Sequence, residues 1–271
     1  MTSYEPIPNY NGKVHDPMAA QKVFAEARNQ YAPSIIDVPS KQNNTSMTYR
    51  TQPTKRTTQP IVQGTSVLGV KYNGGVMLCA DTLGSYGGLA RFKDFHRIKK
   101  VTSESMMAAG GDLSDFQYIE KTLEKLVVAD ECHNDAHRKS PRELWSYMHR
   151  IMYNRRSKGD PLWNQLVIAG YRDSQPFLGF VDLYGKAYEE NVIATGYGNY
   201  IALPLLRNEW SKEITEQQAT ALLRNAMRVL QYRECRTINK VQFAKVDATG
   251  ITISQPQPIQ LNWDIAHSTS H

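Results

Sequence analysis

Gly64-Thr-Ser-Val-Leu-Gly-Val-Lys-Tyr-Asn-Gly-Gly-Val-Met-Leu-Cys-Ala-Asp81 is the stretch that decides the fold. It reads as two strands in antiparallel register, 66–72 and 76–81. Between them, Asn73 and Gly74 form a pair that tolerates the positive φ angles of a tight hairpin turn. The second strand, Val-Met-Leu-Cys-Ala, is apolar on both faces, so both faces are expected to be covered. Such a hairpin belongs at the centre of a core. It starts about a quarter of the way along the chain, after a long polar leader. The functional domain is therefore expected to begin near Gly64.

Upstream, the run 40–57 is rich in Ser, Asn, Gln and Thr and can bury almost nothing, so disorder is expected there. Residues 19–31 have the composition of a short helix that needs a partner. Downstream, a basic loop, 91–100, leads into short strands near 98–102 and 105–109, the second ending at Gly110-Gly111. Two helices follow. Ser114 and Gln117 read as a capping box for the first, with Phe116, Ile119, Leu123, Leu126 and Val127 on its apolar face. Ser140, Pro141 and Glu143 start the second, whose buried stripe is Leu144, Met148, Ile151 and Met152.

Strands return at 166–171 and 177–183 around the polar turn Arg-Asp-Ser-Gln, and at 188–194. A short helix near 200–209 precedes a longer one that opens on Thr215 and Gln218. The strands 241–246 and 251–254 close the domain. Strands, two helices, strands, two helices, strands is the order of an α+β fold. It predicts two antiparallel sheets packed face to face with helix pairs outside, a four-layer αββα sandwich.

The chain has 271 residues, 41% of them apolar, which is enough for one core. No apolar run approaches the ~20 residues that span a bilayer. Glu5, Asp16 and Glu26 interrupt the first thirty residues, which argues against a secretory signal. Cys79, Cys132 and Cys235 are an odd, sparse set, as expected of reduced thiols in cytosol or nucleus. The sequons at Asn43 and Asn44 then carry no sugar. The net charge of +6 invites a nucleic-acid reading, but residues 1–56 hold seven Lys/Arg against four Asp/Glu, which leaves +3 on the remainder. No nucleic-acid-binding motif accompanies that charge.

Gly-Thr before a hairpin, with an Asp sixteen residues after the Thr, resembles the start of a 20S proteasome β subunit. Thr-Gln-Pro-Ile-Val-Gln-Gly-Thr-Ser-Val (58–67), Asp-Thr-Leu-Gly-Ser-Tyr-Gly (81–87), Arg-Arg-Ser-Lys (155–158), Ala-Thr-Gly-Tyr-Gly (194–198) and Asn-Trp-Asp-Ile-Ala-His (262–267) resemble a non-catalytic branch of that family. The likeness runs from about Thr57 to the C-terminus. It implies the same αββα sandwich. It also implies a propeptide, 1–56, cut between Arg56 and Thr57, a domain over 57–254 and an extended C-terminal tail over 255–271. The implied partners are neighbouring β subunits, an α-ring subunit and a β subunit of the opposite ring, with no cofactor, metal, nucleic acid or membrane.

In active members of this family an N-terminal threonine supplies both a nucleophilic hydroxyl and, as base, its freed α-amine. The resemblance places the matching positions at Thr65, Asp81, Arg97 and Gly111, with Glu234 and Thr237 where active members carry Asp and Ser. Arg97 departs from the expected lysine. A planar guanidinium that never releases its proton does not stand in for a compact ammonium. Glu234 is a methylene longer than the expected Asp, and Tyr197 adds bulk in the glycine-rich loop. The cut before Thr57 leaves Thr65 inside the chain. The expectation is a degenerate site in a structural subunit, and the alternative is an active threonine endopeptidase.

Outside that constellation, Cys132, His133 and His137 read as solvated residues of a polar loop, not as a metal site. Cys79 reads as a small core hydrophobe. The cluster 155–158 is a solvated helix end or faces an acidic neighbour. In the tail, Pro256 and Pro258 favour an extended path, and Leu261, Trp263 and Ile265 alternate as anchors for another subunit.

Overall fold

The computed structural model describes residues 59–133 and 138–264. The leader, Arg56 and Thr57 at the expected cut, His137 and Ile265 lie outside the described residues. Thirteen strands and four helices follow one another among them. The central hairpin is β2 (Val67–Tyr72) and β3 (Gly75–Asp81). Its register pairs Tyr72 with Gly75 across a two-residue turn. Of the turn pair only Gly74 takes a positive φ, 104°, while the Asn73 amide donates to the Ile214 carbonyl at 2.9 Å. In the Asp173-Ser174 turn both residues are left-handed, at 52° and 59°, the geometry that matches strand twist in a two-residue hairpin.

β3 is buried along its whole length, and its side chains divide by the two-residue period of a strand. Val76, Leu78 and Ala80 enter the layer between the two sheets, and Met77 and Cys79 face the helices. The Cys79 thiol is fully buried, and burial pushes its pKa far up, as for an inert core residue. Gly69 lies where the sheets close: a Cβ there would sit 2.9 Å from Leu78 Cδ2 and 3.1 Å from Leu178 Cδ1.

The five-stranded sheet runs β11-β2-β3-β12-β13, with β11 at Val192–Ala194, β12 at Val241–Asp247 and β13 at Gly250–Ile253. The larger sheet runs β10-β9-β8-β7-β1-β4-β5, with β6 also on β7. Its strands are β1 (Val62–Gly64), β4 (Gly84–Tyr86), β5 (Leu89–Phe92), β6 (Ile98–Lys100), β7 (Ser105–Asp112), β8 (Asn164–Arg172), β9 (Gln175–Val181) and β10 (Ala187–Glu189). Helices α1 (Leu113–His133) and α2 (Pro141–Ser157) cover the larger sheet through Phe116, Ile119, Leu144 and Met148. Helices α3 (Gly198–Glu209) and α4 (Glu216–Arg233) cover the smaller one through Leu206, Leu223 and Leu230. Helices, sheet, sheet, helices is the expected αββα sandwich.

Several local expectations change. The single strand at 188–194 is two strands in different sheets, because the chain crosses between layers after Glu189. The cap of α1 is Asp112, whose Oδ1 accepts from Ser114 N at 2.9 Å and Asp115 N at 3.1 Å, so Ser114 is inside the helix. The capping boxes of α2 and α4 form as expected. Cys132 and His133 sit on the exposed last turn of α1 and not in a loop. Among the described residues no helix is long and apolar enough to cross a membrane.

Candidate functional site

Four chain segments converge where β1 passes into β2. Thr65 and Ser66 form that passage. Asp81 ends β3, Arg97 immediately precedes β6, and Gly111 lies near the end of β7. Glu234 caps the C-terminus of α4, and Thr237 follows it.

Thr65 is preceded by an ordered strand. Gly64 pairs with Gly111 of β7, and Gln63 pairs with both Asp112 and Ser85 of β4. The Thr65 nitrogen is thus a peptide amide joined to a strand inside the larger sheet. Among the described residues no group bonds the Thr65 hydroxyl.

Arg97 is fully buried, and its guanidinium has five N–H donors. Nε donates to the Asp81 carbonyl at 3.0 Å. Nη1 donates to the carbonyls of Thr65 at 2.8 Å and Ala109 at 3.1 Å. Nη2 donates to the Ser66 carbonyl at 3.0 Å and to Asp81 Oδ1. Every donor is used, which is the condition under which a buried charge is tolerated. The second carboxylate oxygen of Asp81 accepts from Thr237 Oγ1 and Ile238 N, each at 3.1 Å. Burial pushes the Asp81 pKa up. Arg97, Ile238 and Thr237 pull it back, and a full set of donors at both oxygens suits the carboxylate form.

Glu234 belongs to a separate network. Its Oε2 accepts from Ser66 Oγ at 3.0 Å, and Ser66 Oγ in turn accepts from Gly198 N at 2.9 Å. Its Oε1 is buried without a hydrogen-bond partner. Burial pushes the Glu234 pKa up to about 7; the Ser66 donor opposes this and the Asp81 charge adds to it. The longer side chain therefore meets Ser66, while Thr237 meets Asp81.

Of the matched positions, Thr65, Gly111 and Glu234 border a cleft of about 220 Å³, with Gln63, Trp163, Gln165, Tyr197 and Arg236 also in its lining, while Asp81, Arg97 and Thr237 lie behind it. Gly111 takes φ 96°, and a Cβ there would fall 2.1 Å from the Trp163 carbonyl oxygen. Tyr197 is 64% exposed at the cleft, and the Gly196 amide donates to Gln165 Oε1 at 2.7 Å. Sequence reasoning missed Ser66, Thr195 and Gln165. Thr195 Oγ1 accepts from Val67 N at 2.8 Å and so fastens the loop after β11 to the start of β2. The only sequence signal for it was its place beside Gly196 in Ala-Thr-Gly-Tyr-Gly.

The tail docks first on its own domain. Gln257 pairs with Val241, Ile259 is buried, and Ile259 exchanges hydrogen bonds with the Asn239 side chain at 2.7 and 2.8 Å. Leu261 is half-buried. Trp263 packs edge-on to Tyr232, with ring centroids 4.8 Å apart, and stays 52% exposed. At the end of α2, Arg155 pairs with Asp160 at 2.9 Å and lies over Tyr118, while Arg156 lies over Tyr153. Among the described residues no group of three or more His, Cys, Asp or Glu is placed to hold a metal ion.

Residues 61–246 match the family described as Proteasome subunit. The chain is 44% identical over 220 residues to proteasome subunit beta type-4 of Xenopus laevis, covering 80% of this chain and 91% of the relative. It is 39% identical over 224 residues to the beta type-4 subunit of Arabidopsis thaliana, covering 83% and 91%. It is 39% identical over 226 residues to proteasome subunit beta type-7 of Saccharomyces cerevisiae, covering 79% and 85%. With its two face-to-face sheets and flanking helix pairs, the chain belongs to the proteasome subunit family, as a β subunit.

Proposed function

We propose that this chain is a non-catalytic structural subunit of the 20S core particle, in the position held by its beta type-4 relatives. It serves β-ring assembly and ring–ring stability within a threonine endopeptidase complex that degrades ubiquitin-marked proteins in cytosol and nucleus. One observation carries the reading: the Thr65 nitrogen is an amide linked to a paired strand, next to an Arg97 whose five donors are all engaged. Acyl transfer by an N-terminal threonine needs a free amine as base, and Thr65 has none while Gly64 precedes it. Thr65, Asp81, Arg97, Gly111, Glu234 and Thr237 are then degenerate positions that now support structure.

The partners on this reading are neighbouring β subunits, an α-ring subunit and a β subunit of the opposite ring. The propeptide is removed between Arg56 and Thr57. The half-exposed Trp263 suits a tail that finishes its burial against another subunit. Native mass spectrometry of the particle recovered through a tag on this chain tests the assignment. The expected result is two copies per particle, each with the mass of residues 57–271. A free monomer, or a chain that retains residues 1–56 in the finished particle, contradicts it.

A further inference from the structure

β1 has only three residues and pairs through two positions on each side, with β4 and with β7. Pairing this short leaves little of its own stability. Its upstream side is held by the Ile61 amide on Asp112 Oδ2 at 3.0 Å. Its downstream side ends at the two carbonyls, Thr65 and Ser66, that Arg97 takes. The same guanidinium reaches Asp81 on the five-stranded sheet and Ala109 on the larger one, and the Ala109 amide returns a bond to the Arg97 carbonyl at 3.3 Å. The side-chain stem lies against the bare face of Gly64, where a Cβ would fall 2.4 Å from Arg97 Cδ.

We propose that Arg97 and Gly64 are a matched pair forming a clamp, which fixes the β1–β2 passage to both sheets and makes β1, residues 62–64, a permanent strand of the domain. Arg97 is then a structural residue with a built function of its own, not a lysine position that has merely lost its role. A lysine ammonium, a point donor on a flexible stem, does not reproduce the planar fork that spans these acceptors. The clamp stands on the geometry of this chain alone, so it and the subunit reading can fail independently.

The test is hydrogen exchange by mass spectrometry on the full chain, kept in the assembly that contains it, for wild type and Arg97→Lys. The expected result is exchange faster by on the order of tenfold, or more, at the amides of β1, since at least one charge-assisted hydrogen bond is lost. Proteolysis within residues 59–64 should speed up in step, and the β8–β9 hairpin should be unchanged. A residue that only adds general stability would speed β1 and β8–β9 together, and that outcome overturns the clamp, as does no change at β1. If Arg97→Lys is not recovered folded, Gly64→Ala must give the same selective loosening by displacing the guanidinium. Wild-type protection of β1 in Gly64→Ala overturns the proposal.

Discussion

Arg97 and Glu234 both bind the passage that joins β1 to β2, Arg97 at Thr65 and Ser66 and Glu234 at Ser66 alone, and they are partnered in opposite ways. Arg97 takes the carbonyls of Thr65 and Ser66 and leaves no donor unused. Glu234 takes the Ser66 hydroxyl with one oxygen and buries the other without a partner. A buried charge with every bond made is fixed, because moving it exposes a cost at each acceptor. A buried carboxyl with an idle oxygen is adjustable, because taking up a proton relieves its burial. The two sides of one passage therefore differ in kind: one holds the backbone rigidly, and the other responds to its surroundings.

The largest expected effect comes from breaking the rigid side. Asp81→Leu leaves the Arg97 charge buried without its counter-ion, which should cost about 3–5 kcal/mol. Urea unfolding of the recovered chain checks this. Combining Asp81→Leu with Arg97→Met should restore much of the loss, because a buried ion pair is replaceable by apolar groups when both partners go. A double variant no better than the single one would mean that shape, not charge, is what matters there.

The adjustable side should show in the pH dependence. The Glu234 pKa is raised in the folded state, from 4.5 to about 7. The folded chain thus holds this proton more tightly than the unfolded one does. Its stabilising contribution is complete below about pH 4.5 and is lost progressively as pH rises to about 7. The total is about 3 kcal/mol at the 1.36 kcal/mol carried by each unit. Glu234→Gln should flatten that stretch of the stability curve. A curve of unchanged slope between those pH values would remove Glu234 as its source.

Smaller changes sharpen the contrast further. Thr237→Val removes one donor from Asp81 and should cost about 1 kcal/mol, nearly independent of pH. Ser66→Ala removes the one donor that Glu234 has and should push its titration higher still. The difference between the two pH profiles, by urea unfolding, reads the comparison directly. The tail lies outside both networks. Trp263→Ala should cost the isolated fold only about 0.5–1.5 kcal/mol through the lost contact with Tyr232. On the proposed role it should still slow the joining of half-particles on native gels, and unaltered joining would confine Trp263 to its own domain.

How much of this was legible in the sequence depended on the range of the interaction. The β2–β3 hairpin, the boxes at Ser140 and Thr215 and the two-faced burial of β3 rest on neighbours a few residues apart, and they were readable. β1, β4 and β5 were not, because a strand of three or four residues shows no periodicity, and Gln63 finds Asp112 and Ser85 only when the sheet assembles. The break after Glu189 was hidden because its only mark is the polar pair Glu190-Asn191, which does not tell a surface turn from a change of sheets. At the site, the resemblance named Arg97 and Glu234, but not what they do. That Arg97 bonds four carbonyls, and that Glu234 turns to Ser66, depends on backbone positions that residue identity does not encode.

The nature of Thr65 is decided most directly by its nitrogen. The recovered chain, exposed to an electrophile that modifies N-terminal threonines, can be digested and mapped by mass spectrometry. The expected result is a peptide running unbroken through Gly64 and Thr65, with no adduct on Thr65. A chain that begins at Thr65 and carries the adduct on that residue would contradict the reading of this subunit as non-catalytic.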